Sequence, residues 1–265
     1  MKPKLSVLVM VKDESARLPA FFEALTPLRL PHEVVLLDTG SKDMGPRLAR
    51  SRGARVVNVP WEGFSETRNR GFACCRGDWI LVLDADENPD PGLLASVERA
   101  VLLEPSALWT VNRLAYFLGR PVLHSGWHPD RHLRLFPKGW ARFNGRPVHE
   151  GMESAHPGAR VRRLDGLLHH HSYPDLDGYL DRMNRYTQLQ AVELFQRRGS
   201  RPAVALVRML ADPPLTFLKM YILKRGFLDG ASGLVLALLS ACSTLCKYAK
   251  WWRLSLGDAR TRGRV

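Results

Sequence analysis

Glycine-rich phosphate loops are missing from this chain. No G-x-G-x-x-G follows the first apolar run, and no G-x-x-x-x-G-K-[ST] occurs anywhere, which excludes the two commonest backbone cradles for a pyrophosphate. Cysteine is scarce. Cys74 and Cys75 are adjacent, and Cys242 and Cys246 would share one helix face. Four thiols so placed form no disulfide framework and are expected to be reduced, as in a cytosolic protein. Long hydrophobic runs are lacking too. The longest, GLVLALLSACSTLC at 233–246, has 14 residues, short of the roughly 20 a spanning helix needs. Asp229 and Gly230 just ahead of it argue further against a span. The opening MKPKLSVLVMVKDE breaks into charge too early for a signal-peptide core, so no secretory leader is expected. Acidic residues are in deficit. Thirty-nine Lys and Arg against 26 Asp and Glu give +13, a charge that attracts phosphates, nucleic acid or an anionic membrane face. No helix-turn-helix, zinc-finger or RNP-like motif accompanies it, so nucleic acid is not the expected partner.

What is present is an alternation. LSVLVMV (5–11), EVVLLD (33–38), ARVVNV (54–59) and WILVLD (79–84) are short aliphatic runs, apolar on both faces, as strands covered by helices on both sides would be. Helix-like pieces separate them: ESARLPAFFEAL, MGPRLARSRG with Gly53 as its stop, and SETRNRGFACCRG with Ser65 as N-cap. This pattern predicts a parallel α/β sheet. From about 106 it loosens, with LWTVNRLAYF and HLRLF strand-like among Gly- and Pro-rich turns. After HHHSYPD (169–175) the chain reads as helical, beginning with an amphipathic stretch that stops at Gly199.

The fourth strand delivers carboxylates. In DWILVLDADENPD (78–90), Asp84 closes the strand and Asp86, Glu87 and Asp90 follow. Ligands of open α/β sheets bind off the carboxyl ends of strands, so Asp84 and Asp86 are expected to face that crevice. Two carboxylates at i and i+2 suit one hard divalent cation, Mg²⁺ or Mn²⁺, with the remaining positions left to water or phosphate oxygens. A calcium EF-hand loop is excluded by Pro89 where Gly is needed and Ala95 where Glu is needed. The plainer alternative is a solvated acidic turn capping a helix over 91–103, with Asp90 as cap and Pro91 at the first helical position. VKDES (11–15) and DTGSKD (38–43) bring polar groups to the same edge, and Asp38 is placed to accept from a base N–H or a ribose hydroxyl. ETRNRG (66–71) offers Arg68 and Arg70 for base or phosphate contacts, or as a solvated pair.

Taken in order, V-K-D-E, D-T-G-S-x-D, F-S-E-T-R-N-R-G and W-I-L-V-L-D-A-D-E resemble family-2 glycosyltransferases of the GT-A fold. The resemblance is nearest to the bacterial β-1,4-glucosyltransferases of lipopolysaccharide core assembly, and continues in GW (126–127), RLF (134–136), VHEG (148–151) and YILKRGFLDGASGL. It implies inverting transfer from a sugar nucleotide, UDP being the commoner carrier, to a lipid-linked saccharide. It also implies that Val11, Asp13 and Asp38 line the nucleoside, that Arg68 and Asn69 lie near the base or phosphates, and that Asp84 and Asp86 are the D-x-D pair with Asp86 the direct metal ligand. Glu150 takes the place of the catalytic base, though many members carry an acidic pair where this chain has His149-Glu150. His149 is the alternative base, or orients Glu150. A zincin H-E-x-x-H is excluded because its fifth position is Glu153. Some GT-A enzymes complete the metal shell with a late histidine, for which His171 is the candidate, against a structural role at a loop boundary.

Cations crowd the C-terminal end. Residues 182–225 hold nine Lys and Arg against Glu193 and Asp212 alone, interleaved with aromatics as befits a membrane interface. The expected organisation is a GT-A domain over 1–175, with a nucleotide-sugar half (1–105) and an acceptor half (106–175). A basic, amphipathic α-helical extension over 176–265 would then rest peripherally on the cytoplasmic face of the inner membrane, or pack on the catalytic domain. Two rivals share the scaffold. A sugar-1-phosphate nucleotidyltransferase needs a Gly-rich loop that VMVKDESARLP lacks, and a non-catalytic membrane adaptor has no use for intact Asp84, Asp86 and Glu150.

Overall fold

The computed structural model describes residues 3–103, 107–145 and 151–262, the side chains of 258–262 excepted. His149 and Glu150 therefore lie outside the described residues. The chain divides into two compact units. One comprises residues 1–114 and 129–170, the other residues 115–128 and 171–265. The second unit thus takes in an inserted segment as well as the C-terminal helices, its C-terminal part starting at His171.

The first unit is built on a mixed sheet. Strands β1 (Leu5–Val11), β2 (His32–Asp38), β3 (Arg55–Asn58) and β4 (Trp79–Asp84) are the four predicted aliphatic runs, parallel in the order β3-β2-β1-β4. Helices α1 (Leu18–Ala24), α2 (Gly45–Ser51) and α3 (Phe64–Cys74) connect them. Strand alternation feeds two cores. Leu5, Val7, Val9, Leu36, Leu81 and Leu83 pack on one face of the sheet with Phe21 of α1 and with Leu94 and Val97 of α4 (Pro91–Leu103). Leu8, Val35, Leu37, Ile80 and Val82 pack on the other with Phe72 and Cys75. Ser65 is not the cap of α3. Gly63 holds that position at φ 91°, and Ser65 is buried within the helix.

Beyond β4 the sheet turns antiparallel, through β8 (Asp130–Pro137), β6 (Ala107–Phe117), β11 (Arg160–Tyr173) and β5 (Glu87–Pro89), with the two-residue β7 (Arg120–Pro121) on β6. A separate ribbon pairs β9 (Ala141–Phe143) with β10 (Met152–Ser154). HHHSY is thus the end of a long strand and not a loop boundary. Only Ala85 and Asp86 link β4 to β5, yet the two are four places apart in the sheet. Three peptide links reach about 11 Å, whereas four strand spacings of a flat sheet need about 19 Å. The sheet must curl so that its last strand returns beside the end of β4. Asp84, Asp86 and Glu87 sit in that fold of the sheet.

In the second unit, Asp175 caps α5 (Leu176–Arg198) by accepting from the Gly178 N–H at 2.7 Å, and Gly199 ends it at φ 69°. Helix α6 (Pro202–Leu218) runs through a π turn (Lys219–Leu223) and a 3₁₀ turn (Gly226–Asp229) into α7 (Gly230–Arg262). The RGFLDGASGL motif is a tight crossing. A side chain at Gly233 would strike the Gly226 carbonyl, and Asp229 accepts from the N–H groups of Leu123 and His124 at 3.1 and 3.0 Å. Gly226–Gly257 is long and apolar enough to cross a membrane by length and composition. This departs from the sequence reading, because the helix runs on past Cys246 through Lys247 and Lys250.

Candidate active site

Sheet register brings the expected residues to one edge. Val11 lies opposite Asp38, and Met10 opposite Asp84, so the loops after β1, β2 and β4 emerge side by side. The first two are latched together. Asp13 adopts a left-handed backbone (φ 56°), its N–H donates to Ser41 Oγ (3.0 Å), and its Oδ1 accepts from the Lys42 N–H (2.6 Å). Asp43 accepts from the N–H groups of Ser15 and Gly45 at 2.7 and 2.9 Å, and the Ser15 bond holds its carboxyl below the ordinary value. Asp38 Oδ1 accepts from Ser41 N–H at 2.9 Å, while the Val11 carbonyl holds the backbone and hydroxyl of Thr39. Asp13 is therefore spent on shaping the loop wall, while buried Val11 and Asp38 form that wall.

Asp84 and Asp86, two residues apart, have different surroundings. Asp84 Oδ1 accepts from Arg68 at 2.6 Å and Oδ2 from Arg134 at 3.2 Å. Burial pushes its carboxyl up, but the two guanidinium groups outweigh that and hold it well below the usual range. Arg134 also donates to Glu87 Oε1 at 2.5 Å. Glu87 is 0% exposed, and its Oε2 accepts from the Asp84 N–H at 3.0 Å. Arg113 stands 3.6 Å from Glu87 and 2.7 Å from Asp130. The acidic turn is thus clamped by buried Arg134 and half-buried Arg68 and Arg113, and is not a solvated one. Its helix-capping part belongs to Asp90, whose Oδ1 accepts from Leu93 N–H (2.6 Å) and Oδ2 from Leu167 N–H (2.9 Å).

Among the described residues, Asp86 has no arginine bonded to it. Its side chain is 12% exposed, and Oδ2 lies 3.3 Å from His170 Nε2. Burial raises its carboxyl; the hydrogen bond and charge of His170 lower it further, and the net direction is down. The strand explains the partner. His170 lies opposite Glu87 in the β11–β5 ladder, and alternation sends His171 the other way, where its ring sits 4.5 Å from that of Tyr116. The histidine beside the carboxylate is therefore His170, one residue from the candidate read in the sequence. Glu14, bonded to Arg17 at 2.7 Å, is pushed up by burial and, in smaller part, by the nearby charges of Asp86 and Asp43.

Arg68 is brought to the site, flanked by the rings of Phe64 (5.5 Å) and Phe143 (5.2 Å). Arg70 is not: it pairs with Glu62 at 2.6 Å on the surface. Asn69 is taken up by structure. Its Nδ2 donates to the Phe143 carbonyl and its Oδ1 accepts from the Phe143 N–H, so it anchors β9. Arg134, Glu87 and His170 were missed as site residues in the sequence, although RLF and HHH contain two of them.

A cation is tested by the donors available. Among the described residues no three His, Cys, Asp or Glu are grouped to hold a metal. Asp86 and His170 form a carboxylate–imidazole pair of the kind Mn²⁺ accepts, and Mg²⁺ typically takes one or two carboxylates with phosphate oxygens and water. The pair fits a site completed by a ligand's diphosphate.

Comparison with known proteins follows the same lines. The family model for glycosyl transferase family 2 matches residues 6–167, more than half of the chain. The lipopolysaccharide core biosynthesis glycosyltransferase LpsC of Rhizobium meliloti is 27% identical over 98% of this chain and 99% of its own length. An uncharacterized glycosyltransferase of Rickettsia prowazekii is 24% identical over 96% of this chain and 88% of its own. Among solved structures, glucosyl-3-phosphoglycerate synthase from Mycobacterium tuberculosis, in complex with Mn²⁺ and uridine diphosphate, is 26% identical over 43% of this chain, with a TM-score of 0.37. The match spans 44% of that chain, less than half its length. The protein is a glycosyltransferase and belongs to glycosyl transferase family 2.

Proposed function

We propose that this enzyme transfers a sugar, glucose being the one favoured, from a UDP-sugar to a lipid-linked saccharide such as lipopolysaccharide inner core, with inversion. The observation that carries the reading is the Asp86–His170 pair at the open edge of the sheet, beside a turn held rigid by Arg134. The end-to-end likeness to a lipopolysaccharide core enzyme supports the acceptor class.

Val11 and Asp38 bound the nucleoside, with Asp38 accepting from a ribose hydroxyl or base N–H. Arg68 lies toward the phosphates while keeping Asp84 in place. Asp86 and His170 would hold Mg²⁺ or Mn²⁺, whose positive charge stabilises the departing diphosphate. Glu150, assigned by the VHEG resemblance, takes the proton of the acceptor hydroxyl as its oxygen bonds to the anomeric carbon. The bond from that carbon to the diphosphate breaks on the opposite face, and UDP leaves with the electron pair. The second unit rests on the inner leaflet, each cation near anionic lipid contributing about 1 kcal/mol.

UDP release from UDP-glucose, with Mn²⁺ and a lipid-linked saccharide present, tests the reaction. Glu150→Gln should slow turnover about 10²- to 10⁴-fold with UDP binding unchanged; undiminished turnover removes the base. No thermal stabilisation by UDP-, GDP- or ADP-sugars would overturn the donor reading altogether.

A further inference from the structure

Helix α6 is inside out. In a soluble protein the apolar stripe of a helix faces the core, but here the face turned to α7 is small and polar. Ala205 and Pro213 are its buried residues. Asp212 Oδ2 accepts from Tyr248 Oη at 2.6 Å, and Thr216 bonds Thr244 at 3.2 Å. The outward positions carry the large apolar side chains. Val207, Leu210 and Leu215 are 65, 68 and 62% exposed, and Leu206 and Leu218 are exposed beside them. Helix α7 shares the arrangement in part: Gly233 and Ala237 are turned inward beside the large Leu236 and Trp251, while Leu234, Val235 and Leu238 point outward. Small residues and polar bonds inside with bulky aliphatics outside is the packing of helices in lipid.

We infer that the α6–α7 hairpin lies in the plane of the bilayer as a monotopic anchor, with Leu206, Val207, Leu210, Leu215 and Leu218 sunk among the acyl chains of one leaflet. The proposal rests on the membrane-docking part of the proposed function and specifies how that docking is made. Helix α5 decides the orientation. At its start, Tyr179 packs with Leu236. Near its end, Ala191 packs with Trp251, and Lys250 Nζ donates to the Asn184 carbonyl, Asn184 Oδ1 and Thr187 Oγ1 at 2.6–2.7 Å. So α5 follows α7 along much of its length, and it exposes Asp177, Asp181, Arg185 and Arg197. A spanning α7 would drag those charges into hydrocarbon; an in-plane hairpin leaves them in water. Charge selects lipid over a second copy of the chain as the occupant. The nine cations of 182–225 face only two acids, and both are already paired, Glu193 with Arg197 and Asp212 with Arg208. A like-charged copy would be repelled, whereas anionic headgroups are attracted.

The test is flotation of the full chain with vesicles of phosphatidylcholine, with and without phosphatidylglycerol, at low salt and at 1 M salt, where the Debye length is about 3 Å. The wild type should stay bound to the anionic vesicles at 1 M salt. The exposed double variant Val207→Asp/Leu210→Asp should melt like the wild type and lose binding at least about tenfold, about 1.4 kcal/mol. Lys219→Gln/Lys224→Gln, exposed where α6 ends, should lose binding at low salt but little of what remains at 1 M. Complete release of the wild type by salt would overturn insertion while leaving surface docking intact. Absence of binding under every condition would remove the docking reading as well. A lipid-free dimer that dissociates in the Val207→Asp/Leu210→Asp variant would assign the face to a second copy instead.

Discussion

Replacing Arg134 by Met removes the cation at the centre of the acidic turn. The guanidinium serves two carboxylates, and they do not lose equally. Asp84 keeps Arg68 at 2.6 Å and is partly exposed. Glu87 is fully buried and, among the described residues, keeps the Asp84 N–H and Arg113 at 3.6 Å. Stripping a partner from a buried ion pair costs about 3–5 kcal/mol. With Arg113 still near, the lower end applies, about 3 kcal/mol. For a chain of this size that is a fall in Tm of about 6–12 °C. Adding Glu87→Gln should restore much of the loss. Thermal unfolding of the single and double variants is the assay. A single variant melting within about 2 °C of wild type, or a double variant no better than the single, would refute the view that buried charge holds this turn.

Two further outcomes follow from the same region. Burial pushes Asp130 up, but His132 at 2.8 Å and Arg113 bring its carboxyl down to about 2. The stability it contributes is present above the unfolded value of about 3.9 and is lost as pH falls through about 2. Discounted for its partial exposure, Asp130→Asn should cost about 1 kcal/mol at pH 7, shrinking as urea unfolding is repeated from pH 5 downward; a constant difference would contradict the assignment. At Gly166, φ is +89° and an added methyl would strike the Leu93 N–H and Asp90 Oδ1. Gly166→Ala should therefore cost about 2–3 kcal/mol by prising β11 from the α4 cap, and an unchanged melting curve would show that the cap adjusts freely.

The parallel half of the sheet was legible because each strand is a bounded aliphatic run. Leu5–Val11 and Trp79–Asp84 fell where the residues place them. Asp90 and Pro91 announced the start of α4 by cap chemistry alone. Other features depend on long-range contact. Arg134 looks like any strand arginine until the curl of the sheet sets it between Asp84 and Glu87. Three consecutive histidines give no phase, and only the register of β11 on β5 selects His170 over His171. The use of Asn69 by β9, 74 residues away, leaves no local mark. Ser65 is a good N-cap type two residues too late, because Gly63 had already opened the helix. The second unit misled by length. Cations after Cys246 ended the apolar run without ending the helix.

Calorimetric titration of UDP, with and without Mn²⁺, into the wild type, Asp86→Ala, His170→Ala and His171→Ala reaches the centre of the account. Mn²⁺ should tighten UDP binding at least about tenfold, about 1.4 kcal/mol, in the wild type and His171→Ala. That gain should vanish in Asp86→Ala and shrink in His170→Ala. An Asp86→Ala chain that keeps the whole Mn²⁺-dependent gain would contradict it.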